Sequence, residues 1–247
     1  MALRIGFDLD GVFADMEAEL VRQSVTLFGE PMTLRLQERA VEAGDTAAVA
    51  ESAAGPGSPA APEFAPPVAQ LNMTSRQQRR LWHHVESIEN FWEGLEELEP
   101  GVIPRLARLA IDRRWEIIFL TKRPETAGST AQVQTQRWLE SKGFTLPSVF
   151  VVQGSRGRIA ASLGLDIVVD DRPENCLDVV VDSKARAILV WRAEESQLPA
   201  AAQRLGIGVV KSVADCLDIL TQVDSASRDE PGVIARVMRL LGLKEPP

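Results

Sequence analysis

The sequence predicts an α/β protein built on a parallel β-sheet with helices on both faces. Five short apolar runs, rich in β-branched residues and free of charge in their middles, alternate along the chain with amphipathic segments. Such runs are typical of strands that are buried on both faces. Their alternation with helical segments favours parallel strands joined by crossover helices. Ligands of such sheets bind beyond the carboxyl ends of the strands.

The elements follow from this alternation in chain order. The predicted strands are 4–8, 116–121, 149–152, 166–170 and 187–191. The predicted helices of the same layers are 102–113, 126–142, 156–163 and 173–182.

The interval between the first two strands is far longer than an ordinary α/β connection. Residues 16–28 and 75–92 have helical patterns, and the Ala/Pro/Gly-rich stretch of about 43–70 is predicted to be a mobile loop. The whole interval 16–98 is therefore interpreted as a helical insertion over the active end of the sheet.

The remaining chain divides into a core and a tail. The core is predicted to consist of residues 1–15 and 99–223. Residues 224–247 contain the amphipathic stretch VIARVMRLLGL and are predicted to form a tail helix.

Composition excludes several classes of protein. The chain has 247 residues and a formal net charge of −8, with a sequence pI near 5.0, so a broad nucleic-acid-binding face is not expected. No apolar run approaches the roughly 18 residues of a membrane span. Cys176 and Cys216 are far apart and fit neither a metal motif nor a disulfide framework. We expect a soluble, cytoplasmic protein.

Polar side chains stand at the carboxyl ends of the first four predicted strands. They are Asp8 and Asp10, then Thr121, then Arg156 and Arg158 in a following helix, and finally Asp170 and Asp171. Parallel strands bring these ends to one edge of the sheet, which predicts a shared site.

Four carboxylates in one place require a cation, because like charges raise one another's pKa. Mg²⁺ prefers oxygen ligands and also accepts phosphate oxygens. An aspartate can attack phosphorus and form an aspartyl-phosphate, while a second acid moves the proton. A calcium loop is disfavoured, because Phe13 stands where that loop needs glycine. Taken alone, residues 170–173 could instead be a helix start.

The stretches FDLDGVFAD, FLTKRP, GSRGRIAASLG and IVVDDRP resemble, in order and spacing, the four motifs of the haloacid dehalogenase-like (HAD) superfamily of phosphohydrolases. The resemblance is closer to the 5′(3′)-deoxyribonucleotidase-like branch. That branch has a DxDGVxAD motif, a helical cap between the first two motifs, an aromatic pair like Phe91-Trp92, a pair like Trp138-Leu139 and a paired DD.

The resemblance implies a Rossmann-like three-layer parallel sheet with a helical cap after the first strand. It implies that Asp8 is the nucleophile and a Mg²⁺ ligand, and that Asp10 is the general acid/base whose backbone carbonyl also meets the metal. Thr121 would bind the phosphoryl group. Asp170 would ligate Mg²⁺, and Asp171 would support it.

The sequence departs from the family where the third motif usually has lysine. Arg156 aligns best with that lysine and Arg158 second. Arginine supplies a fixed charge and a bidentate fork, but not the compact point charge of lysine. Phe13 also stands where an aliphatic residue is usual.

Besides Thr121, five residues are candidates for substrate binding, and Arg158 is one of them. Phe91 and Trp92 either stack on a base or pin the cap to the core. Lys122 and Arg123 directly follow Thr121 and could contact substrate.

The expected function is Mg²⁺-dependent hydrolysis of a phosphomonoester through an aspartyl-phosphate. The substrate would be a small phosphorylated metabolite, with a nucleoside (deoxy)monophosphate favoured. The alternative is a weakly active or non-catalytic phosphate-binding protein of the same fold. No nucleic-acid polymer and no membrane is expected as a partner, and a homodimer is left open.

Overall fold

The computed structural model describes residues 3–47 and 70–227. Within them lies a six-stranded sheet in which every pair of neighbouring strands is parallel. The strands are β1 (Arg4–Asp8), β2 (Glu116–Thr121), β3 (Ser148–Val151), β4 (Ile167–Asp170), β5 (Arg186–Val190) and β6 (Gly208–Val210). Their spatial order is β3-β2-β1-β4-β5-β6. This order is that of a Rossmann-like doubly wound sheet, so the predicted fold class is confirmed.

Helices connect these strands and form the insertion after β1. They are α1 (Met16–Phe28), α2 (Glu30–Ala47), α3 (Ser75–Glu86), α4 (Val102–Arg113), α5 (Ala131–Ser141), α6 (Arg156–Leu163), α7 (Pro173–Asp182), α8 (Ala200–Arg204) and α9 (Val213–Ser227). Short 3₁₀ turns lie at Phe91–Gly94 and Glu195–Gln197.

The core differs between the two faces of the sheet. On one face, Phe13 packs between Phe7 and Phe119, with ring centroids 5.4 Å and 5.9 Å away, and Phe119 contacts Phe144 edge-on. Phe13 is therefore an aromatic core residue at a position where the sequence resemblance predicts an aliphatic one. The other face is aliphatic and includes Leu120, Ala160, Val168, Val179 and Leu189.

Several predicted boundaries need correction. β3, β4 and β5 each begin one residue away from the predicted start, because pairing with the neighbouring strand sets the ladder. The predicted helix 75–92 ends at Glu86, and the predicted helix 126–142 begins only at Ala131.

Other elements were not predicted at all. These are α2, β6, α8 and most of α9. Because α2 continues to Ala47, residues 43–47 of the predicted loop are helical. The rest of that loop, 48–69, and most of the predicted tail helix, 228–247, lie outside the described residues.

The chain divides into two compact units. The larger contains 1–14, 97–121 and 136–247, and the smaller contains 15–96 and 122–135. The smaller unit thus includes the segment after β2 in addition to the insertion.

Both cysteines are free thiols buried in the fold. Burial raises the pKa of Cys216 to about 12, and it raises the pKa of Cys176 as well. Neither thiol is a nucleophile at neutral pH. None of the helices in the described part of the chain is long and apolar enough to span a bilayer.

Candidate functional site

The predicted site residues of the larger unit lie where the strand order reverses. β1 ends at Asp8 and its neighbour β4 ends at Asp170, and the sheet runs outward in opposite directions from this pair. Ligands of doubly wound sheets bind at such a switch point, beyond the carboxyl ends of the strands.

Three carboxylates meet at this point. Asp8, Asp170 and Asp171 each offer an oxygen atom, and these atoms all lie within 4.8 Å of one another. Asp8 and Asp170 are buried and Asp171 is half-buried. The geometry is that of a set of hard oxygen donors able to surround one small cation.

Arg156 enters the same cluster from the start of α6. Its side chain is 2% exposed and its Nη2 donates a close hydrogen bond to Oδ1 of Asp8. Its Nε lies 3.4 Å from Oδ2 of Asp170. One guanidinium thus forms ion pairs with two buried carboxylates, which its planar arrangement of several N–H groups allows.

Burial and mutual repulsion dominate the ionisation of these acids. Burial raises the pKa of Asp8 well above its usual value; Arg156 opposes this, and the neighbouring aspartates add to it. Burial likewise raises the pKa of Asp170, again against Arg156. Burial and then the charge of Asp170 raise the pKa of Asp171 to about 7. The single positive charge of Arg156 does not balance the negative charges of the three carboxylates. A bound cation would therefore stabilise their ionised forms.

Asp170 is oriented by two donors from the start of α7. Its Oδ1 accepts a hydrogen bond from the backbone N–H of Arg172 at 2.9 Å. The side-chain amide of Asn175 donates to both oxygens of Asp170 at 3.0 Å. Pro173 begins the helix without needing a hydrogen bond for its own nitrogen.

Asp171 has an oxygen atom available to a ligand. Its Oδ1 is buried and has no hydrogen-bond partner among the described residues. Its Oδ2 lies against Gly11, where an added Cβ would come within 1.9 Å, and Gly11 has a φ of +82°. An orphaned acceptor beside two other buried carboxylates fits a hard divalent cation such as Mg²⁺.

Asp10 and Thr121 stand beside each other at the same edge. Thr121 is the last residue of β2, which pairs with β1, and its hydroxyl donates to Oδ2 of Asp10 at 3.2 Å. Thr121 is buried, whereas Asp10 is half-buried in the turn after β1. The structure therefore brings together Asp8, Asp10, Thr121, Arg156, Asp170 and Asp171 within the larger unit.

Comparison with known proteins gives matches among solved structures. No family model matches the sequence, and no curated protein matches it significantly. A putative beta-phosphoglucomutase from Thermotoga maritima matches with a TM-score of 0.51 and 16% identity, over 90% of this chain and 99% of that chain. The likeness is one of fold.

Two further solved structures match at slightly lower TM-scores. A phosphonoacetaldehyde hydrolase-like protein from Oleispira antarctica has a TM-score of 0.49 and 15% identity, over 94% of this chain and 96% of that chain. A HAD family hydrolase from Deinococcus radiodurans R1, solved with bound phosphate and sodium, has a TM-score of 0.49 and 16% identity, over 90% of this chain and 96% of that chain. The nucleotidase branch stays a prediction.

Arg158 has a different neighbour from Arg156, although it lies only two residues away. Its side chain is 84% exposed and its Nε lies 3.9 Å from Asp182. The structure therefore places Arg156, not Arg158, among the carboxylates, because only the first position of α6 faces them.

The aromatic candidates are packed inside the smaller unit. Phe91 and Trp92 are both buried and contact each other edge-on at 4.8 Å. The guanidinium of Arg123 is buried over the Trp92 ring at 4.9 Å and donates to Thr135 at 3.0 Å. Both rings are packed within this unit, and their contact with a substrate base stays a prediction. Lys122 is half-buried.

Three residues of the site region were not predicted from the sequence. Asn175 orients Asp170. Arg192 contacts the turn after β1, and Glu99 contacts the start of α9. Asn175 carries a weak sequence signal, since an amide in the first turn of a helix can reach back to the preceding strand end. Arg192 and Glu99 carry none, because their partners are distant in sequence.

Proposed function

We propose that this protein is a Mg²⁺-dependent phosphomonoester hydrolase that works through an aspartyl-phosphate on Asp8. The observation that supports this is the meeting of three carboxylates and one buried arginine at the switch point of the sheet. Repulsion between buried carboxylates destabilises a protein core, so a purely structural role does not explain this arrangement. Carboxyl groups with shifted pKa values are typically clustered at functional sites.

The first half of the reaction would transfer the phosphoryl group to the protein. An oxygen of Asp8 attacks phosphorus, a new P–O bond forms, and the bond from phosphorus to the ester oxygen breaks. Asp10 gives its proton to the leaving oxygen, which departs as an alcohol.

The second half would restore the protein. A water molecule attacks phosphorus and gives its proton to Asp10, and the bond between phosphorus and Asp8 breaks. Inorganic phosphate leaves, and Asp8 and Asp10 return to their starting ionisation states. Thr121 would donate to a phosphoryl oxygen, and Arg156 would supply fixed positive charge beside it.

Asp8, Asp170 and the backbone carbonyl of Asp10 would hold Mg²⁺, with Asp171 in support. The ion would neutralise the clustered carboxylates and the charge of the phosphate. Since burial raises the pKa of Asp8, that neutralisation would also favour the ionised form of Asp8 that attacks phosphorus.

The substrate we favour is a nucleoside (deoxy)monophosphate. This preference rests on the resemblance of the sequence motifs to the nucleotidase branch. Lys122, directly after Thr121, is the side chain we propose for contact with the substrate beyond its phosphate.

A second candidate function is phosphate binding with little or no turnover. It is favoured by the contact of Arg156 with Asp8, since a guanidinium bonded to the nucleophile makes that carboxylate less reactive.

One experiment tests both proposals. The purified protein is incubated with 5′- and 3′-nucleotides and sugar phosphates, with Mg²⁺ or with EDTA. We expect release of phosphate from at least one ester with Mg²⁺ and none with EDTA. In acid-quenched reactions, mass spectrometry should find one phosphoryl group on the peptide that contains Asp8.

Asp8→Asn should lower kcat by at least about a thousandfold, as loss of a nucleophile does. The matched control is Glu174→Gln, which removes an exposed carboxylate from the first turn of α7 and should leave kcat unchanged. Turnover that survives in EDTA or in Asp8→Asn would refute the mechanism. Phosphate binding without release from any ester would favour the second candidate.

A further inference from the structure

Arg192 reaches the turn that follows β1 from the segment just beyond β5. Its Nη1 donates a close hydrogen bond to the backbone carbonyl of Gly11, and its Nη2 donates to that of Val12 at 3.1 Å. Two successive carbonyls of the turn next to Asp10 are thus held by one guanidinium, which fixes a backbone segment better than a single donor would.

The turn uses its own N–H groups for other bonds. Phe13 and Ala14 donate from their backbone nitrogens to the carbonyl of Leu9, at 2.8 Å and 2.9 Å, and Gly11 donates to Ala14 at 3.0 Å. The carbonyls of Gly11 and Val12 take no part in these bonds. Arg192 therefore binds the two carbonyls that the internal hydrogen bonds of the turn leave unused.

The carboxylate of Asp171 restricts the position of the same turn, because it packs against the backbone of Gly11. A Cβ on Gly11 would lie 1.9 Å from Oδ2 of Asp171, so the glycine backbone runs directly against that carboxylate. A shift of the turn would move Asp10 and would also change the space beside Asp171.

Glu99 holds Arg192 in place. Its Oε1 accepts from Nη2 of Arg192 at 2.6 Å and from the backbone N–H of Val213 at 2.9 Å. Its Oε2 accepts from the N–H of Ala214 at 3.0 Å. Because the start of α9 fixes Glu99, the arginine is attached to a rigid element rather than to a loop.

We propose that Arg192, oriented by Glu99, is a positioning residue that fixes the turn carrying Asp10 for proton transfer. This inference rests on the proposed hydrolase function. Arg192 does not touch the reacting atoms in this arrangement, and its effect passes through the backbone of Gly11 and Val12.

The kinetic test uses a control that matches Arg192 closely. The side chains of Arg192 and Arg105 are each 33% exposed. Arg105 likewise donates to a backbone carbonyl, that of Ala214 at 3.3 Å, and pairs with the carboxylate of Asp218. In the described part of the chain Arg105 makes no hydrogen bond or ion pair with the turn after β1 or with Glu99. It contacts the carbonyl of Ala214, whereas Glu99 accepts from the N–H of that residue.

We expect Arg192→Ala to lower kcat about 10- to 100-fold with KM unchanged, as loss of a residue that orients a catalytic group does. Arg192→Lys should recover only part of kcat, because one ammonium cannot hold both carbonyls and Glu99. Arg105→Ala should keep both kcat and KM. An equal loss in Arg105→Ala, or no loss in either Arg192 variant, would overturn the proposal.

Amide hydrogen exchange tests the same proposal without any substrate. The peptide spanning residues 9–14 should exchange faster in Arg192→Ala than in the unmodified protein or Arg105→Ala. Arg192→Lys should lie between them, and it serves as the test variant if the alanine variant does not fold. Unchanged exchange in the Arg192 variants would refute the positioning role.

The two measurements separate this inference from the proposed function. Faster exchange in the Arg192 variants of a protein that hydrolyses no ester would support the fixing of the turn and refute the hydrolase. Slower turnover with unchanged exchange would support the hydrolase and refute positioning through the turn.

Discussion

Asp171 is a single residue whose ionisation opposes folding when no cation is bound. Burial and the charge of Asp170 raise the pKa of its carboxyl group to about 7, above the value of about 3.9 expected in an unfolded chain. Between these values the folded protein binds the proton more tightly than the unfolded chain does. Asp171 therefore contributes least stability at high pH, and its contribution falls as the pH rises from about 4 to 8.

Asp171→Asn should remove this dependence, because the amide has the shape of the protonated acid and no charge. In EDTA, the free energy of unfolding of the variant and of the unmodified protein should agree near pH 4. As the pH rises, the free energy of unfolding of the variant should exceed that of the unmodified protein by a growing amount. This difference should reach at most about 4 kcal/mol near pH 8. Urea denaturation across this pH range measures the difference. The prediction would be contradicted by a difference that does not change with pH, or by the same behaviour in Glu174→Gln.

The sequence was most informative about residues at strand ends. Asp8, Thr121 and Asp170 could be placed at one edge because parallel strands share that edge. Arg192 could not be assigned a role, because its partners Gly11 and Glu99 are brought to it only by the order of the strands. Long-range contacts of surface arginines leave no local pattern in a sequence.

At the scale of elements, the approach of α6 to α7 determines where Arg156 lies. An added Cβ on Gly157 would come within 2.0 Å of the backbone oxygen of Asp178. A backbone atom inside a helix cannot yield as a flexible side chain could. The two helices can pack this closely only because Gly157 has no side chain, and Arg156 is the residue before it.

Gly157→Ala should therefore force α6 away from α7. We expect the free energy of unfolding to fall by about 1–3 kcal/mol, the usual effect of overpacking, and phosphatase activity to fall with the displacement of Arg156. Gly154→Ala is the control in the same segment, since its nearest neighbour, Ile159, would lie 4.0 Å from the new Cβ. Denaturant titration gives the free energy of unfolding of both variants, and steady-state kinetics give their kcat. Equal stability of Gly157→Ala and Gly154→Ala would contradict the prediction.

The elements missed by the sequence are explained by their length and context. β6 has only three residues, too few for a strand pattern to separate from the surrounding helices. The predicted helix 126–142 began too early because residues 122–130 are held by packing in the smaller unit, where Trp92 donates from its indole nitrogen to the carbonyl of Pro124. Periodicity reports amphipathic faces, but it does not report such specific bonds.

At the scale of the whole molecule, the division into two units separates the proposed chemistry from the insertion. All four acids and Arg156 belong to the larger unit, whose sheet supplies the strand ends that carry them. The larger unit alone should then respond thermodynamically to a metal ion. The aromatic and arginine cluster around Trp92 lies in the smaller unit and should not respond.

Mg²⁺ should stabilise the folded protein, because the ion binds the assembled carboxylates and not the unfolded chain. At about a hundredfold excess over its dissociation constant it should add about 2.7 kcal/mol to the free energy of unfolding. For a chain of this size that corresponds to a rise in Tm of about 5 to 10 °C. Calorimetry with increasing Mg²⁺ measures the shift, and if two transitions appear, only one of them should move.

Asp170→Asn should abolish most of this shift, because it removes a charged oxygen that neither Asn175 nor Arg172 can replace. Glu174→Gln should keep the full shift, since its side chain is exposed and lies outside the group of potential ligands. An equal rise in Tm for both variants would mean that the ion binds elsewhere on this acidic protein. Loss of the shift in Asp170→Asn alone would place the stabilising ion at the ends of β1 and β4.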